Sequence, residues 1–278
     1  MNEQLDKKIQ RAIRLLQSYK GTEPIEVAYS GGKDSDVILE LARMAGINYR
    51  AIYKCTTIDP PGTIAHVKSK GVEVRMPKEK FFDLVKRKGA PTWRARYCCD
   101  VLKEYKILEN VVLGIRRTES RKRAELYKEP IQCRNFGNSK KNHVNRYLPI
   151  LEWTNEDLAQ FIALRSIQCH PLYYDEQGKF HVERRLGCVG CPMQSDRGKG
   201  DFKKYPKFLR RWIECEKIYL ANRPDSGAMR KFGDAYRLTY NNLFCDSYGD
   251  FVLKTQRNLF GEDFDAKKYL EEYFGIEL

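Results

Sequence analysis

Ser30-Gly31-Gly32-Lys33-Asp34-Ser35 separates two runs of different periodicity. Before it, Ile25–Tyr29 is apolar and β-prone apart from Glu26, the pattern of a buried strand. After it, Val37, Ile38, Leu41 and Ala45 recur at helical spacing, with Gly46 placed to cap the helix. A strand therefore enters a glycine-rich turn and leaves it as a helix. Two glycines let the backbone turn tightly and come close to a ligand. The free N–H groups at the helix start, with the helix dipole, point into the turn. Lys33 adds a mobile positive charge, and Ser30 and Ser35 add hydroxyls. The stretch reads as a phosphate cradle. It is not a Walker A loop, because Gly-x4-Gly-Lys-Ser/Thr is absent.

The same alternation continues downstream. Asn48–Lys54 reads as a strand, and a helix is expected from Pro61 through Ile64, Val67 and Lys68 to a stop at Gly71. Val72–Met76 follows as a strand, Glu79–Lys88 as a helix, Cys98–Leu108 as a helix and Asn110–Ile115 as a strand. Arg116–Arg123 is dense in cations, Lys128–Arg146 has the mixed polarity of a loop, and Tyr147–Leu151 reads as a short strand. Thr154 with Asp157 three residues on predicts a capped helix through Leu158, Phe161, Ile162 and Leu164. Alternating strands and helices of this length imply an α/β fold, a doubly wound and mainly parallel sheet. Ligands in such sheets bind at the C-terminal strand ends, where the cradle lies. From Asp201 onward the pattern is helical, so three parts are expected: an N-terminal helix (1–24), a nucleotide-binding domain (25–198) and a helical C-terminal extension (199–278).

A chain of 278 residues with 42% hydrophobic residues can bury a substantial core. No segment approaches the roughly 20 apolar residues of a membrane span. Leu5, Ile9, Ala12, Ile13 and Leu16 make Met1–Lys20 an amphipathic helix rather than a signal peptide, which points to a cytoplasmic chain. The net charge of +14 suits polyanionic partners, nucleotides or nucleic acid, and suits a solvated basic surface equally well. Trp93, Trp153 and Trp212 are expected in the core, and His170 and His181 in structural hydrogen bonds.

Of nine cysteines, two pairs are tightly spaced: Cys98-Cys99 and Cys188-Val189-Gly190-Cys191. Cys-x-x-Cys is a common two-thiolate clamp. Adjacent cysteines diverge too much for one tetrahedral zinc but suit a cubane, where each thiolate takes a different iron. Together the four make a complete ligand set for a [4Fe–4S] cluster. Spacing alone leaves open a zinc on Cys188 and Cys191, with Cys98 and Cys99 merely buried in a helix.

The six-residue loop resembles the pyrophosphate-binding signature of the PP-loop superfamily. Other segments narrow the likeness: Thr56-Thr57-Ile58-Asp59-Pro60-Pro61; Gly114-Ile115-Arg116-Arg117 with Ser120, Arg121 and Ala124; Pro149-Ile150-Leu151-Glu152-Trp153-Thr154; and His170-Pro171-Leu172-Tyr173 with Gly187–Pro192. In this order they resemble the phosphoadenosine phosphosulfate (PAPS) reductase family over about residues 25–195. The paired cysteines resemble its iron–sulfur branch, which includes adenosine phosphosulfate reductases and the iron–sulfur enzyme of DNA phosphorothioation. The likeness implies an adenine nucleotide α-hydrolase-like fold and a [4Fe–4S] cluster on Cys98, Cys99, Cys188 and Cys191. Two departures stand out. The family's C-terminal Glu-Cys-Gly-x-His segment has no counterpart around Cys215 or Cys245. The loop, usually degenerate in sulfonucleotide reductases, is intact and keeps its lysine, which suits ATP.

The expectation is therefore an enzyme of sulfur transfer that cleaves ATP to AMP and pyrophosphate to activate an acceptor. Ser30, Gly31, Gly32, Lys33, Asp34 and Ser35 would hold pyrophosphate with Mg²⁺. Thr57 and Gly114 would lie near the nucleotide, and Arg116 and Arg117 would neutralise anionic charge. Lys33, Asp34 and Arg116 are the catalytic candidates. The alternatives are a sulfonucleotide reductase releasing sulfite and a non-catalytic binder of nucleotide or nucleic acid. Partners consistent with the sequence are an adenine nucleotide, a nucleic acid, a protein sulfur donor carrying a persulfide or thiol, and a second copy of the chain.

Overall fold

The computed structural model describes residues 3–135, 143–256 and 263–278. In chain order the first elements are α1 (Glu3–Gln17), β1 (Ile25–Tyr29), α2 (Lys33–Ala45), β2 (Tyr49–Lys54), α3 (Thr63–Ser69), β3 (Glu73–Arg75) and α4 (Phe81–Lys88). Next come α5 (Tyr97–Leu102), β4 (Asn110–Val112), α6 (Arg121–Leu126), β5 (Ile131–Asn135), β6 (His143–Tyr147) and α7 (Asn155–Leu164). The rest is helical: α8 (Lys199–Lys204), α9 (Pro206–Ala221), α10 (Gly227–Phe232), α11 (Ala235–Phe244), α12 (Tyr248–Lys254) and α13 (Ala266–Phe274). Two compact units result. The first comprises Met1–Cys55, Asp59–Pro77 and Leu102–Gly187; the second comprises Thr56–Ile58, Lys78–Val101 and Cys188–Leu278.

The first unit holds a six-stranded sheet in the order β3-β2-β1-β4-β6-β5. All pairs are parallel except β5 against β6. Strand order turns back at β1, which lies between β2 and β4, so the cradle after β1 sits at the switch point of the sheet. Alternation fixes the faces of β1. Ile25 and Val27 are buried on one side, where Leu5, Ile9, Ala12 and Leu16 of α1 join Val37, Ile38 and Leu41 of α2 and Leu158 and Phe161 of α7 in one core, while Tyr29 packs in a second cluster with Leu39, Tyr53 and Val67. On the other side Glu26 is 1% exposed. Its carboxylate lies 3.3 Å from Lys54 Nζ and accepts from Leu108 N–H at 2.9 Å, so the buried charge is paired and hydrogen-bonded.

Several local expectations need correction. Helix α3 starts at Thr63 rather than Pro61, because Gly62 has a φ of 89°, outside the helical region, and serves as the N-cap. Helix α5 ends at Leu102 rather than Leu108, because Lys106 is left-handed and Leu108 N–H is taken by Glu26. The region read as a loop over Lys128–Arg146 contains both strands of the antiparallel pair; its residues 136–142 lie outside the described residues. The strand placed at Tyr147–Leu151 ends at Tyr147, since Pro149 has no N–H for a ladder and Leu151 N–H turns back to the Leu148 carbonyl. The Thr154–Asp157 capping box forms with both reciprocal bonds.

The second unit is helical. Phe81 and Phe202 pack on Trp212 at ring-centroid distances of 5.3 and 5.4 Å, which joins α4, α8 and α9. Trp153 in the first unit and Trp212 in the second are buried as expected, whereas Trp93 is 46% exposed. Its neighbours explain this: Thr92 and Ala95 exchange backbone hydrogen bonds at 3.2 and 3.1 Å, and this tight turn carries Trp93 outward at its tip.

Candidate functional site

In the first unit the chain leaves β1 at Tyr29 and enters α2 at Lys33. Gly31 takes a φ of 80°, which non-glycine residues avoid. Ser35 Oγ donates to the Gly32 carbonyl at 2.7 Å, and Gly32 N–H is 3.4 Å from Ser30 Oγ. The loop is thus held by its own serines. Gly114, just past β4, lies against the start of α2, where a Cβ would stand 3.0 Å from the Asp34 carbonyl oxygen. Only glycine permits this approach without moving the helix.

The residues Tyr29 and Asp36 bracket the loop from below. The Tyr29 hydroxyl donates to Asp36 Oδ1, and His66 Nε2 on α3 lies 3.0 Å from that hydroxyl and 3.2 Å from the carboxylate. All three are buried. This network, invisible as a motif, ties β1, α2 and α3 together under the cradle. His170 is also structural: its Nδ1 accepts from Leu172 N–H, and its Nε2 lies 3.3 Å from Thr63 Oγ1.

A polar cavity of about 160 Å³ opens over the loop, lined by Ser30, Gly32, Lys33, Asp34, Ser35 and Gly114. Lys33 is 4% exposed; its Nζ lies 3.2 Å from Asp34 Oδ2, 3.3 Å from the Arg184 carbonyl that accepts from it, and 5.3 Å above the Tyr173 ring. Burial pushes the Lys33 ammonium below the ordinary lysine range, and Asp34 offsets part of that effect. Asp34 also receives Arg116 Nε at 2.6 Å. Arg116 is 3% exposed and braces the loop through Asp34. Arg117 points elsewhere, onto Glu152 and the Tyr127 carbonyl. Thr57 belongs to the second unit, where its hydroxyl accepts from Phe81 N–H at 2.8 Å.

Further cations, which the six-residue loop does not announce, line the same cavity: Arg123 and Arg185. Both engage one carboxylate, Glu119. Burial and then Arg185 lower the Arg123 pKa. Arg123 lies within the cation-dense stretch, Arg185 precedes the Cys-x-x-Cys turn and Tyr173 closes the His170–Tyr173 segment of the family likeness; Glu119 carries no comparable signal. Beside this cavity lies a larger one of about 280 Å³ at the ends of β1, β2 and β4. Its walls include Ile52, Lys54, Val111 and Ile115, and it shares Ala28, Ser30 and Gly114 with the first. A phosphate-sized polar compartment therefore adjoins a mostly apolar one.

The cysteine pairs both fall in the second unit. Cys188 and Cys191 lie in a turn closed by Cys191 N–H on the Cys188 carbonyl, with Gly190 N–H donating to Asp201 Oδ2 at 3.0 Å. Cys188 Sγ is 3.5 Å from Thr56 Oγ1. Cys99 first, then burial, then Cys188 and Cys191 push the Cys98 thiol up. Among the described residues no three His, Cys, Asp or Glu side chains have the spacing of a metal site. Arg96 Nη2 lies 3.6 Å from Cys99 Sγ. No helix of the described residues is long and apolar enough to cross a membrane.

A mainly parallel sheet with a glycine-rich anion cradle at its switch point defines an α/β nucleotide-binding domain. Residues 24–194 match the phosphoadenosine phosphosulfate reductase domain, and the chain belongs to that family. It is 29% identical over 210 residues to an uncharacterized protein of Methanocaldococcus jannaschii, covering 70% of this chain and 48% of that one. It is 30% identical over 169 residues to an uncharacterized 37.8 kDa protein of Escherichia phage 186, covering 55% of this chain and 47% of that one. This chain thus spans about half the length of these relatives. A crystal structure of phosphoadenylyl-sulfate reductase from Candida auris, in complex with phosphate, matches with a TM-score of 0.46 and 15% identity, over 68% of this chain and 95% of that one.

Proposed function

We propose that the chain is an adenine-nucleotide enzyme that cleaves ATP between the α- and β-phosphates to activate an acceptor for sulfur transfer. The observation that carries this reading is the pair of adjoining cavities, with Lys33, Arg123 and Arg185 gathered over the first turn of α2. The apolar compartment would take the base, and the polar one the phosphates. Backbone N–H groups of the loop and Lys33 would hold the departing pyrophosphate. Asp34, held by Arg116 and Lys33, would present its carboxylate edge to Mg²⁺. Catalysis of this kind rests on positioning and on charge placed where the transition state develops it. Asp34 braced by a buried arginine supplies such positioning.

A sulfonucleotide reductase is the second reading, favoured by the family. It needs an accessible nucleophilic thiol late in the chain. Cys215 and Cys245 are both buried, at 0% and 4% exposure, so neither presents such a thiol. As part of the same proposal, Cys98, Cys99, Cys188 and Cys191 would hold a [4Fe–4S] cluster, which would cross-link and rigidify that turn. Anaerobic calorimetric titration with ATP and, separately, adenosine phosphosulfate, each with Mg²⁺, decides between the two readings. Preference for ATP and release of pyrophosphate are expected; preference for the sulfonucleotide, with sulfite release to a thiol, would reverse the order. Iron and acid-labile sulfide in the anaerobically purified protein are expected, and their absence in fully active protein would remove the cluster.

A further inference from the structure

We propose that the second unit carries a binding surface for single-stranded nucleic acid, centred on the Trp93–Arg94 turn. The turn is built to present these two side chains. Thr92 and Ala95 close it through reciprocal backbone bonds, and Ala95 N–H also reaches Thr92 Oγ1 at 3.1 Å. The Arg94 guanidinium lies 4.5 Å from the Trp93 ring centroid, and the indole is 46% exposed. Nearly half of the indole surface is thus open to solvent. A rigid aromatic with an arginine against it is the arrangement that stacks an unpaired base and neutralises its phosphate.

The surroundings repeat the pattern. Four residues on, Tyr97 has Lys88 Nζ 5.1 Å from its ring. Arg94 Nη2 donates to the Asp246 carbonyl at 3.4 Å, which places the turn beside the start of α12. There Tyr248, 42% exposed, has Lys231 Nζ 5.1 Å from its ring. The nearby Asp246 carboxylate is paired with Arg197 and so does not cancel these cations. Lys203, Lys217 and Arg223 make similar pairs with Tyr273, Tyr236 and Tyr219 on the same unit. Alternating cations and aromatics fit a polyanion with flat bases. A duplex hides those faces inside its stack, so the single strand is the matching form.

The test uses the full chain and an oligothymidylate of about 15 nucleotides, with tryptophan emission as readout. Trp153 and Trp212 are buried, so emission changes on binding report Trp93. Quenching is expected on titration. Affinity should fall roughly 20- to 50-fold between about 50 and 200 mM salt, as three or four phosphate contacts require. Trp93→Ala should weaken binding about tenfold or more, with the melting temperature unchanged, since the side chain is exposed. A double change, Arg94→Ala with Lys231→Ala, should flatten the salt dependence. Three outcomes would overturn the proposal: no binding at low salt, equal affinity for a duplex of the same length, or binding that leaves both emission and the Trp93→Ala affinity unaltered. ATP is not part of the measurement, so the result is separate from the nucleotide reading.

Discussion

Lys33 is a buried ammonium in a compartment that holds more positive than negative groups, and this sets how it responds to a ligand. Burial favours its neutral form, and an arriving polyphosphate would favour the charged one. Anion affinity should therefore fall as pH rises through a value below the ordinary lysine pKa of 10.5, earlier than for an exposed lysine. Lys33→Ala should lower pyrophosphate affinity by about 10- to 100-fold, the range of one charge-assisted hydrogen bond, and remove that alkaline limb. Calorimetric titration of pyrophosphate across pH measures both. Glu119 has the opposite sign. It engages Arg123 and Arg185 inside the cavity and so occupies cations a phosphate would use. Glu119→Gln should raise pyrophosphate affinity severalfold while leaving the shape of the cavity intact. An unchanged or weaker affinity would mean that Glu119 orients the arginines rather than competing for them.

At the scale of elements, the cradle and its flanking strand and helix were legible because glycine, serine and lysine must occupy fixed positions there. Strand β1 begins and ends at the residues where its apolar run does, and the Gly46 cap forms with a φ of 62°. What was not legible depended on partners distant in sequence. The β5–β6 pair is made of backbone bonds between polar segments, so its side chains carry no alternation signal. The end of α5 is set by Glu26, more than seventy positions earlier in the chain. Among the candidate site residues, Ser30 to Ser35 and Gly114 gather as expected, but the role of Arg116 shows only once Asp34 is seen beside it. The Tyr29–Asp36–His66 network belongs to the same class, since its members are unremarkable one by one. Asp36→Ala would leave the Tyr29 hydroxyl and the His66 ring buried with fewer partners. A loss of about 1–3 kcal/mol in urea unfolding is expected, with pyrophosphate affinity reduced as well because the loop rests on this network. Unchanged affinity at full folding would show the loop to be held by its own serines alone.

For the whole molecule, the pH dependence of stability should carry a signature from the helical unit that is distinct from the cradle. Glu216 on α9 is 0% exposed and accepts hydrogen bonds from Thr239 Oγ1 and Asn242 Nδ2. No cation pairs with it among the described residues, and burial pushes its carboxyl up to about 8 from an ordinary 4.5. The sign follows from proton counts. Between those two values the folded chain keeps the proton and the unfolded chain has released it, so folding takes up a proton. Stability from this group is whole below about pH 4.5 and is lost as pH rises toward 8, at up to about 1.4 kcal/mol per pH unit. Glu216→Gln keeps the volume and both hydrogen-bonding partners but cannot ionise. The variant should therefore gain on the parent as pH rises from 5 to 8, and the two should converge at the acid end. Urea unfolding at several pH values in that window reads the difference directly. A constant gap between variant and parent would mean that the Glu216 carboxyl is ionised in the folded chain throughout, with its charge carried by Thr239 and Asn242 instead of suppressed by burial.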